Sequence, residues 1–519
     1  MHGSILILIG LLALLVLVSL ALDSYRCTLL SKSGLALLFG GLVGFGIASH
    51  APDVAVHLNF DHSFFFDVLL PPIIYEAGFS VERTTFFRNF GAILTTAIWG
   101  TLVSACVTGL VLYAASAHAC IPPLDWTETF LFGALLSAVD PVATLACFQK
   151  VSVPPVLFNI VFGESVLNDA VAIALYKALL SVARAGGGMS VAILMLVVVQ
   201  TFGILVGSIC VSLLMTLAGA SLFVGIPALR AYPVYEILLC TCVSLSTYFA
   251  AELCALSGIV ALFFSGILTA HYHYHVMSPV AQVAVHHVLQ TSAFVCDTLV
   301  YVYVGLATAI VLHDTSPQSP LQLHDVSWPL VGWTTFSLLV GRFLNIFPLV
   351  GLTNHWHCNQ DVITPRMMLV MWLAGLRGAV AVALVTDWPY VRASDGVDNK
   401  SLMVTTTLFI VIGSTWIVGG LTAPLLHVCG LITAAPSSTV PDRSVPPAAR
   451  RMSTLDDSPT TSRCAMFRIT LASMWLSFDE LYMKPIFGGK PTRRAKGKIA
   501  DDAGRASLLE RDVAATEHR

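Results

Sequence analysis

The sequence predicts an all-α membrane protein of about thirteen transmembrane helices, arranged as two inverted six-helix repeats. Three observations predict it. Of the 519 residues, 56% are hydrophobic and only 11% charged, against about 25% charged in soluble domains, and the mean hydropathy is +0.82. Apolar runs of roughly 17–25 residues, the length that crosses a bilayer as a helix, recur along the whole chain. Two of these runs are interrupted at corresponding positions, a pattern of discontinuous membrane helices.

The first run, near 4–22, has no positively charged start and is long for the apolar part of a signal peptide, so it reads as a retained span. Five more follow near 33–50, 63–79, 90–113, 127–148 and 156–183. A seventh, near 189–222, joins these six to another six near 231–253, 255–272, 289–313, 328–352, 364–386 and 401–430. An odd offset of seven gives the second set the opposite orientation in the membrane. The fifth run carries Asp140-Pro141 and the twelfth Gly375-Leu376-Arg377-Gly378. Proline removes a backbone donor and glycine weakens a helix, so both runs are expected to break there, at Pro141 and between Gly375 and Gly378.

Basic residues in the short loops orient the spans. An N-terminus outside puts Arg26, Lys32, Arg83, Arg88, Lys150, Arg230 and Arg366 at cytoplasmic ends, with only Arg184, Arg392 and Lys400 opposite. Residues 1–436 then form a transmembrane domain and 437–519 a cytosolic tail. The net charge of −3 describes neither part, because 14 of the 27 Lys and Arg lie after Pro441. In the tail, Phe467, Leu471, Trp475 and Phe478 recur at helical spacing. They suggest a short amphipathic helix near 465–486, lying on the membrane or docked on the transmembrane domain, ahead of a basic, disordered end. The tail lacks the aromatic–basic interleaving and modules of nucleic-acid binding, so no nucleic acid is expected as a partner. The 12 cysteines include no CxxC pair, so neither zinc nor thiol redox chemistry is expected. The histidines His271, His273, His275, His286 and His287 could sense pH or bind metal, but they gather at a span end, where exposed histidine is common.

Ionisable residues inside the runs carry most of the functional information. Each costs at least ~2.5–3.5 kcal/mol at a membrane helix centre, so they are rare and mark ion paths. The sixth run reads Phe162-Gly163-Glu164-Ser165-Val166-Leu167-Asn168-Asp169. Glu164 stands one helical turn before Asn168, and Ser165 one turn before Asp169. Hard oxygens gathered in this way suit an alkali cation, Na⁺ or K⁺ at Asp169, and not zinc or copper. Asp140, Glu164 and Asp169 are three central anions; Arg342 and Arg377 are two cations that stay charged and need partners. One carboxylate is left over and must hold a proton or a cation, which is the core of an exchanger. Glu76, Lys177 and Asp297 lie in or near spans and can enter the same network. A cation or proton channel needs similar residues and is the alternative. No GxGD-like or HExxH pattern is present, so an intramembrane enzyme is not expected.

At these residues the chain strongly resembles the eukaryotic sodium/proton exchangers, a family of cation/proton antiporters. Leu69-Leu70-Pro71-Pro72-Ile73-Ile74-Tyr75-Glu76-Ala77-Gly78 resembles the family's LLPPII-x-x-AG segment, and Ser137-Ala138-Val139-Asp140-Pro141-Val142 its SA-x-DPV motif. Residues 162–170 match FGES-x-LNDA, and Gly375-Leu376-Arg377-Gly378-Ala379 matches GLRGA. The resemblance covers about residues 60–430. It implies a homodimer of thirteen-helix protomers with an inverted-repeat fold, and crossed broken helices in spans 5 and 12. Dimerisation helices would lie at 4–79 and 231–313, core helices at 90–183 and 328–430, and a linker helix at 189–222. It implies Asp169 as the ion- and proton-binding carboxylate, with Asn168, Ser165 and Asp140 around the site. Glu164 would pair with Arg342, and Arg377 would steady the broken twelfth helix. Asn168 ahead of Asp169 resembles the electroneutral members. No cofactor is implied beyond the transported ions. Ala270-His271-Tyr272-His273-Tyr274 and Leu476–Ile486 resemble segments of the organellar branch, which implies an endosomal or Golgi-type membrane, membrane lipids as surroundings, and a tail open to cytosolic regulators. Val139 stands where that branch has Thr.

Overall fold

The computed structural model describes residues 10–20, 32–50, 62–140, 148, 153–184, 191–313, 326–355, 362–375, 377–386, 388, 399–431, 478–479 and 483–488. Among them every regular element is helical. The long helices are α1 (Gly10–Leu20), α2 (Lys32–His50), α3 (62–80), α4 (Phe90–Ala117), α5 (Trp126–Leu136), α6 (Pro155–Arg184), α7 (Val191–Gly225), α8 (Pro233–Leu253) and α9 (Gly258–His271). They continue with α10 (Pro279–His313), α11 (Trp328–His355), α12 (Pro365–Leu373), α13 (Ala379–Thr386) and α14 (Lys400–Cys429). Eight of them, α2, α4, α6, α7, α8, α10, α11 and α14, are long and apolar enough to cross a membrane. A described helix falls on each of the thirteen expected runs, and the twelfth run is split between α12 and α13.

Local chemistry explains the irregular turns. Pro71 and Pro72 offer no N–H to the preceding turn, and α3 answers with a π-helical turn over Phe65–Leu69, closed by Leu70 N–H on the Phe65 carbonyl. The Phe66 carbonyl accepts instead from the Tyr248 hydroxyl of α8, at 2.8 Å. Asp125 caps α5 in a capping box with Glu128: Trp126 N–H donates to Asp125 and Asp125 N–H to Glu128, each at 2.7 Å. The other Glu128 oxygen accepts from Asn399 at 2.7 Å, which ties the start of α14 to the start of α5.

One boundary differs from the sequence expectation by a wide margin. The tenth run was expected from 289, whereas α10 begins at Pro279. The intervening Gln282, His286 and His287 lower the hydropathy, but the helix start is set by its cap. Ser278 accepts from Ala281 N–H, and Glu236 of α8 accepts from the Ser278 amide at 3.1 Å.

The helices pack in recognisable partnerships: α2 with α10, α3 with α9 and α10, and α8 with α9; then α4 with α5 and α11, α5 with α6, and α13 with α14. The α2–α10 crossing is close. A Cβ at Gly40 would run into the Val302 backbone, and one at Gly305 into the Leu37 carbonyl, so the two backbones touch with no side chain between them. Gly40 and Gly44 thus both pack against α10. α1 lies on the same pair, with Leu11 and Leu15 against Leu35, Ala36, Tyr301 and Val302.

Candidate functional site: a buried oxygen cluster at two broken helices

α5 stops at Leu136; Ser137, its cap, keeps helical φ and ψ, and 138–140 carry no regular structure. Pro141 lies outside the described residues. α12 stops at Leu373, and the chain re-enters helix only at Ala379. The expected interruption of the twelfth run is present, of the fifth run the described residues show the end of α5, and the two segments touch. A Cβ at Gly378 would overlap the Asp140 side chain, so only glycine allows this approach. Gly375 in turn lies against the stem of Arg342. Gly378→Ala is expected to destabilise the fold by about 1–3 kcal/mol, while Gly413→Ala, inside α14 with nothing within 4 Å of a new Cβ, does not destabilise it. Thermal melts of the two variants in detergent check this.

Arg377 links the breaks. Its guanidinium donates to the carbonyls of Ser137 and Ala138, both at 3.0 Å. Those carbonyls close α5, where four acceptors lack intrahelical partners and the helix dipole is negative. The expectation that Arg377 needs a carboxylate partner is therefore corrected. No carboxylate stands within salt-bridge distance of it among the described residues, and a helix end supplies the negative charge. Its own amide donates to Ser414 of α14 at 3.2 Å.

α6 runs alongside. Glu164, fully buried, receives both arms of Arg342, one of them at 3.1 Å. Arg342 reaches from α11 and also donates to the Met371 carbonyl at the end of α12, at 3.2 Å. The expected pair is thus formed, and it ties three helices together. On the neighbouring face of α6, Ser165, Asn168 and Asp169 are 1%, 1% and 7% exposed. Ser165 Oγ, Asn168 Oδ1 and Asp169 Oδ1 are buried with no hydrogen-bond partner. Unpartnered buried polar atoms are costly and call for an explanation. The charges of Asp140 and Arg377 act on Asp169, and the Val139 amide faces it, so the structure brings the sequence-predicted residues together. Glu76 and Lys177 go elsewhere: Glu76 accepts from Ser80 at 2.6 Å, and Lys177 pairs with Glu252 of α8 at 2.9 Å. Tyr301 of α10, which the sequence reading passed over, donates its hydroxyl to Asp140 Oδ2.

The histidines form no metal site among the described residues. His273 is buried, not exposed as its place at a span end suggests, because its ring bonds the Thr216 carbonyl at 2.9 Å, and His271 meets the tail. Phe467, Leu471 and Trp475 lie outside the described residues, but 478–479 and 483–488 dock on the end of α9. Buried Asp479 accepts from Tyr272 at 2.7 Å, lies 3.1 Å from His271 Nε2, and pairs with Lys484 at 3.3 Å. Burial pushes its carboxyl up, but the hydrogen bonds from Tyr272 and His271 and the charges of His271 and Lys484 outweigh it, leaving it below its ordinary value. A carboxyl lowered on docking contributes above its free value of about 3.9 and ceases to do so as pH falls through the docked value. Asp479→Asn is expected to speed hydrogen exchange across 478–488 several-fold at pH 7, whereas in the wild type Asp479's own contribution is lost only on acidification below the free carboxyl range.

A family model described as sodium/hydrogen exchanger, transmembrane, matches residues 10–428. The chain belongs to the sodium/hydrogen exchanger family. It is 37% identical over 374 residues to sodium/hydrogen exchanger 8 of Rattus norvegicus, covering 71% of this chain and 61% of that protein. It is 33% identical over 440 residues to sodium/hydrogen exchanger 9 of Mus musculus, covering 83% and 64%. It is 30% identical over 485 residues to sodium/hydrogen exchanger 5 of Arabidopsis thaliana, covering 90% and 89%. The chain thus spans less than two thirds of the length of exchangers 8 and 9. In fold it is similar to the sodium proton antiporter MjNhaP1 of Methanocaldococcus jannaschii, with a TM-score of 0.57, 17% identity, and coverage of 82% of this chain and 98% of that one. The sodium/hydrogen exchanger family is one of multi-pass membrane transporters, not enzymes, and its ions are cargo rather than cofactors.

Proposed function

We propose that this chain is an electroneutral antiporter that exchanges Na⁺ or K⁺ for H⁺ by alternating access at Asp169. The observation that carries the reading is the set of unpartnered buried oxygens, Ser165 Oγ, Asn168 Oδ1 and Asp169 Oδ1, on one face of α6. Glu164 is already held by Arg342, so Asp169 is the carboxylate of α6 left to bind a travelling charge. A buried carboxylate is tolerated when neutralised, by one proton or one monovalent cation. Trading one for the other moves no net charge.

In this reading all thirteen runs cross the membrane, as two inverted sets of six joined by α7. Helices α4–α6 and α11–α14 form a core that moves against α1–α3 and α8–α10, which also form the homodimer contact. The helix packing within each group supports the division. Asp140 and the bond from Arg377 to the end of α5 hold the crossed helices at the ion. The tail is cytosolic and open to regulators there, and the membrane is that of an endosomal or Golgi-type organelle whose pH and cation content the exchange adjusts. The segments at 270–274 and 476–486 support that location.

The test is cation-driven proton movement in proteoliposomes with the membrane potential clamped, using Na⁺ and K⁺ separately. Exchange at clamped potential is the expected result. Proton flux that follows the membrane potential would point to a channel or an electrogenic carrier instead, and exchange with Na⁺ alone would remove K⁺ from the reading.

A further inference from the structure

α10 places two polar side chains one turn apart, Asp297 and Tyr301, on the same face. The Tyr301 ring is only 2% exposed and is set among Leu11, Leu15, Leu35, Ala36 and Val302. That packing leaves the ring one orientation, and its hydroxyl crosses to the first broken helix and donates to Asp140 Oδ2. On its other side Asp140 is confined by Gly378, whose Cα hydrogens face the Asp140 Cβ and carboxyl. The carboxylate is thus clamped between a glycine and a phenol. Asp297 is close enough for its charge to act on both Asp140 and Tyr301. None of the α6 oxygens needs Tyr301, and the family's motifs quoted above do not include it.

We propose that Tyr301 is a positioning residue for the cation site: its hydroxyl fixes the Asp140 carboxylate beside Asp169, so that cation affinity depends on a side chain that does not touch the ion. The inference rests on the exchange reading above. A hydrogen bond to a charged group contributes about 1.5–3 kcal/mol, and at 1.4 kcal/mol per decade its loss is expected to raise the half-saturating cation concentration roughly ten-fold or more.

The experiment uses the full chain in two readouts. Tyr301→Phe removes the hydroxyl and keeps the ring. In proteoliposomes it is expected to raise the half-saturating Na⁺ or K⁺ concentration about ten-fold while the maximal rate stays near wild type. In detergent, the cation concentration that half-completes thermal stabilisation should shift by the same factor, since that stabilisation follows occupancy; melting without added cation should fall by less than the cation response shifts. On an Asp140→Asn background Tyr301→Phe should add nothing to the shift in stabilisation, because residues that act as a unit are not additive. An unchanged half-saturation, a fall in maximal rate alone, or full additivity with Asp140→Asn would overturn the proposal. If Tyr301→Phe lowers the cation-free melting point as much as it shifts the cation response, the role is merely structural and the proposal also falls. Failure of the exchange reading shows separately, as proton flux that follows voltage in the wild type, while the stabilisation assay still reports on Tyr301.

Discussion

Asp169→Asn is expected to abolish cation-driven proton movement, leaving flux no greater than in protein-free vesicles, while the protein still folds. The amide is nearly the shape of the carboxyl, so packing around α6 is kept, and melting without cation should move by no more than about 1 kcal/mol. What the amide lacks is the charge. It neither takes up a proton in the physiological range nor neutralises a cation beside Ser165 Oγ and Asn168 Oδ1, the other unpartnered oxygens of the cluster. Thermal stabilisation by cation is therefore lost along with transport. For the wild type that stabilisation reaches about 2.7 kcal/mol when the cation is at a hundred times its dissociation constant. Exchange that survives in Asp169→Asn would move the binding carboxylate elsewhere, with Asp140 the next to test.

Breaking the Glu164–Arg342 pair is the second large effect. Glu164 is 0% and Arg342 3% exposed, so removing one partner strands the other charge without water. Such losses run to about 3–5 kcal/mol, and Glu164→Gln or Arg342→Leu alone is expected to fall in that range. Replacing both, as in Glu164→Leu with Arg342→Met, is expected to recover most of the stability, because an apolar pair of similar volume needs no compensation. Recovery should not be complete, since the Met371 carbonyl at the end of α12 loses the donor it has at 3.2 Å. Melting curves of the two single variants and the double variant in detergent give the coupling directly.

Much of the architecture is legible in the sequence, and particular residues show where legibility ends. The length of apolar runs locates the helices because a bilayer imposes a length, and Gly375 and Gly378 mark the break between α12 and α13 because backbone freedom is written in residue type. The oxygen cluster of α6 is legible for a similar reason: Ser165, Asn168 and Asp169 are near in sequence, so helical spacing alone brings them together. Glu164 and Arg342 are 178 positions apart, and no spacing joins them; the family resemblance implied the pair. The partner of Arg377 was misread because it is backbone. Ser137 and Ala138 act through carbonyls that every residue has, and a count of side-chain charges cannot see them. Tyr301 escaped because an aromatic residue in an apolar helix ordinarily reads as packing, and only the fold brings Asp140 to its hydroxyl. The start of α10 was missed because polarity was followed where capping decides.

The crossing of α2 and α10 has a mechanical consequence. Most helix pairs are separated by a layer of side chains, which changes rotamer, slides and absorbs small displacements. Where Gly40 meets Val302 and Gly305 meets Leu37 there is no such cushion, and interiors packed at this density transmit strain. The two helices act as a single strut, stiff against shear along its length. Tyr301 is the residue next to Val302, so its phenol is mounted where the two backbones meet. In the exchange reading the broken helices move past this strut, so the hydrogen bond from Tyr301 to Asp140 belongs to one orientation of the core and parts when the core shifts.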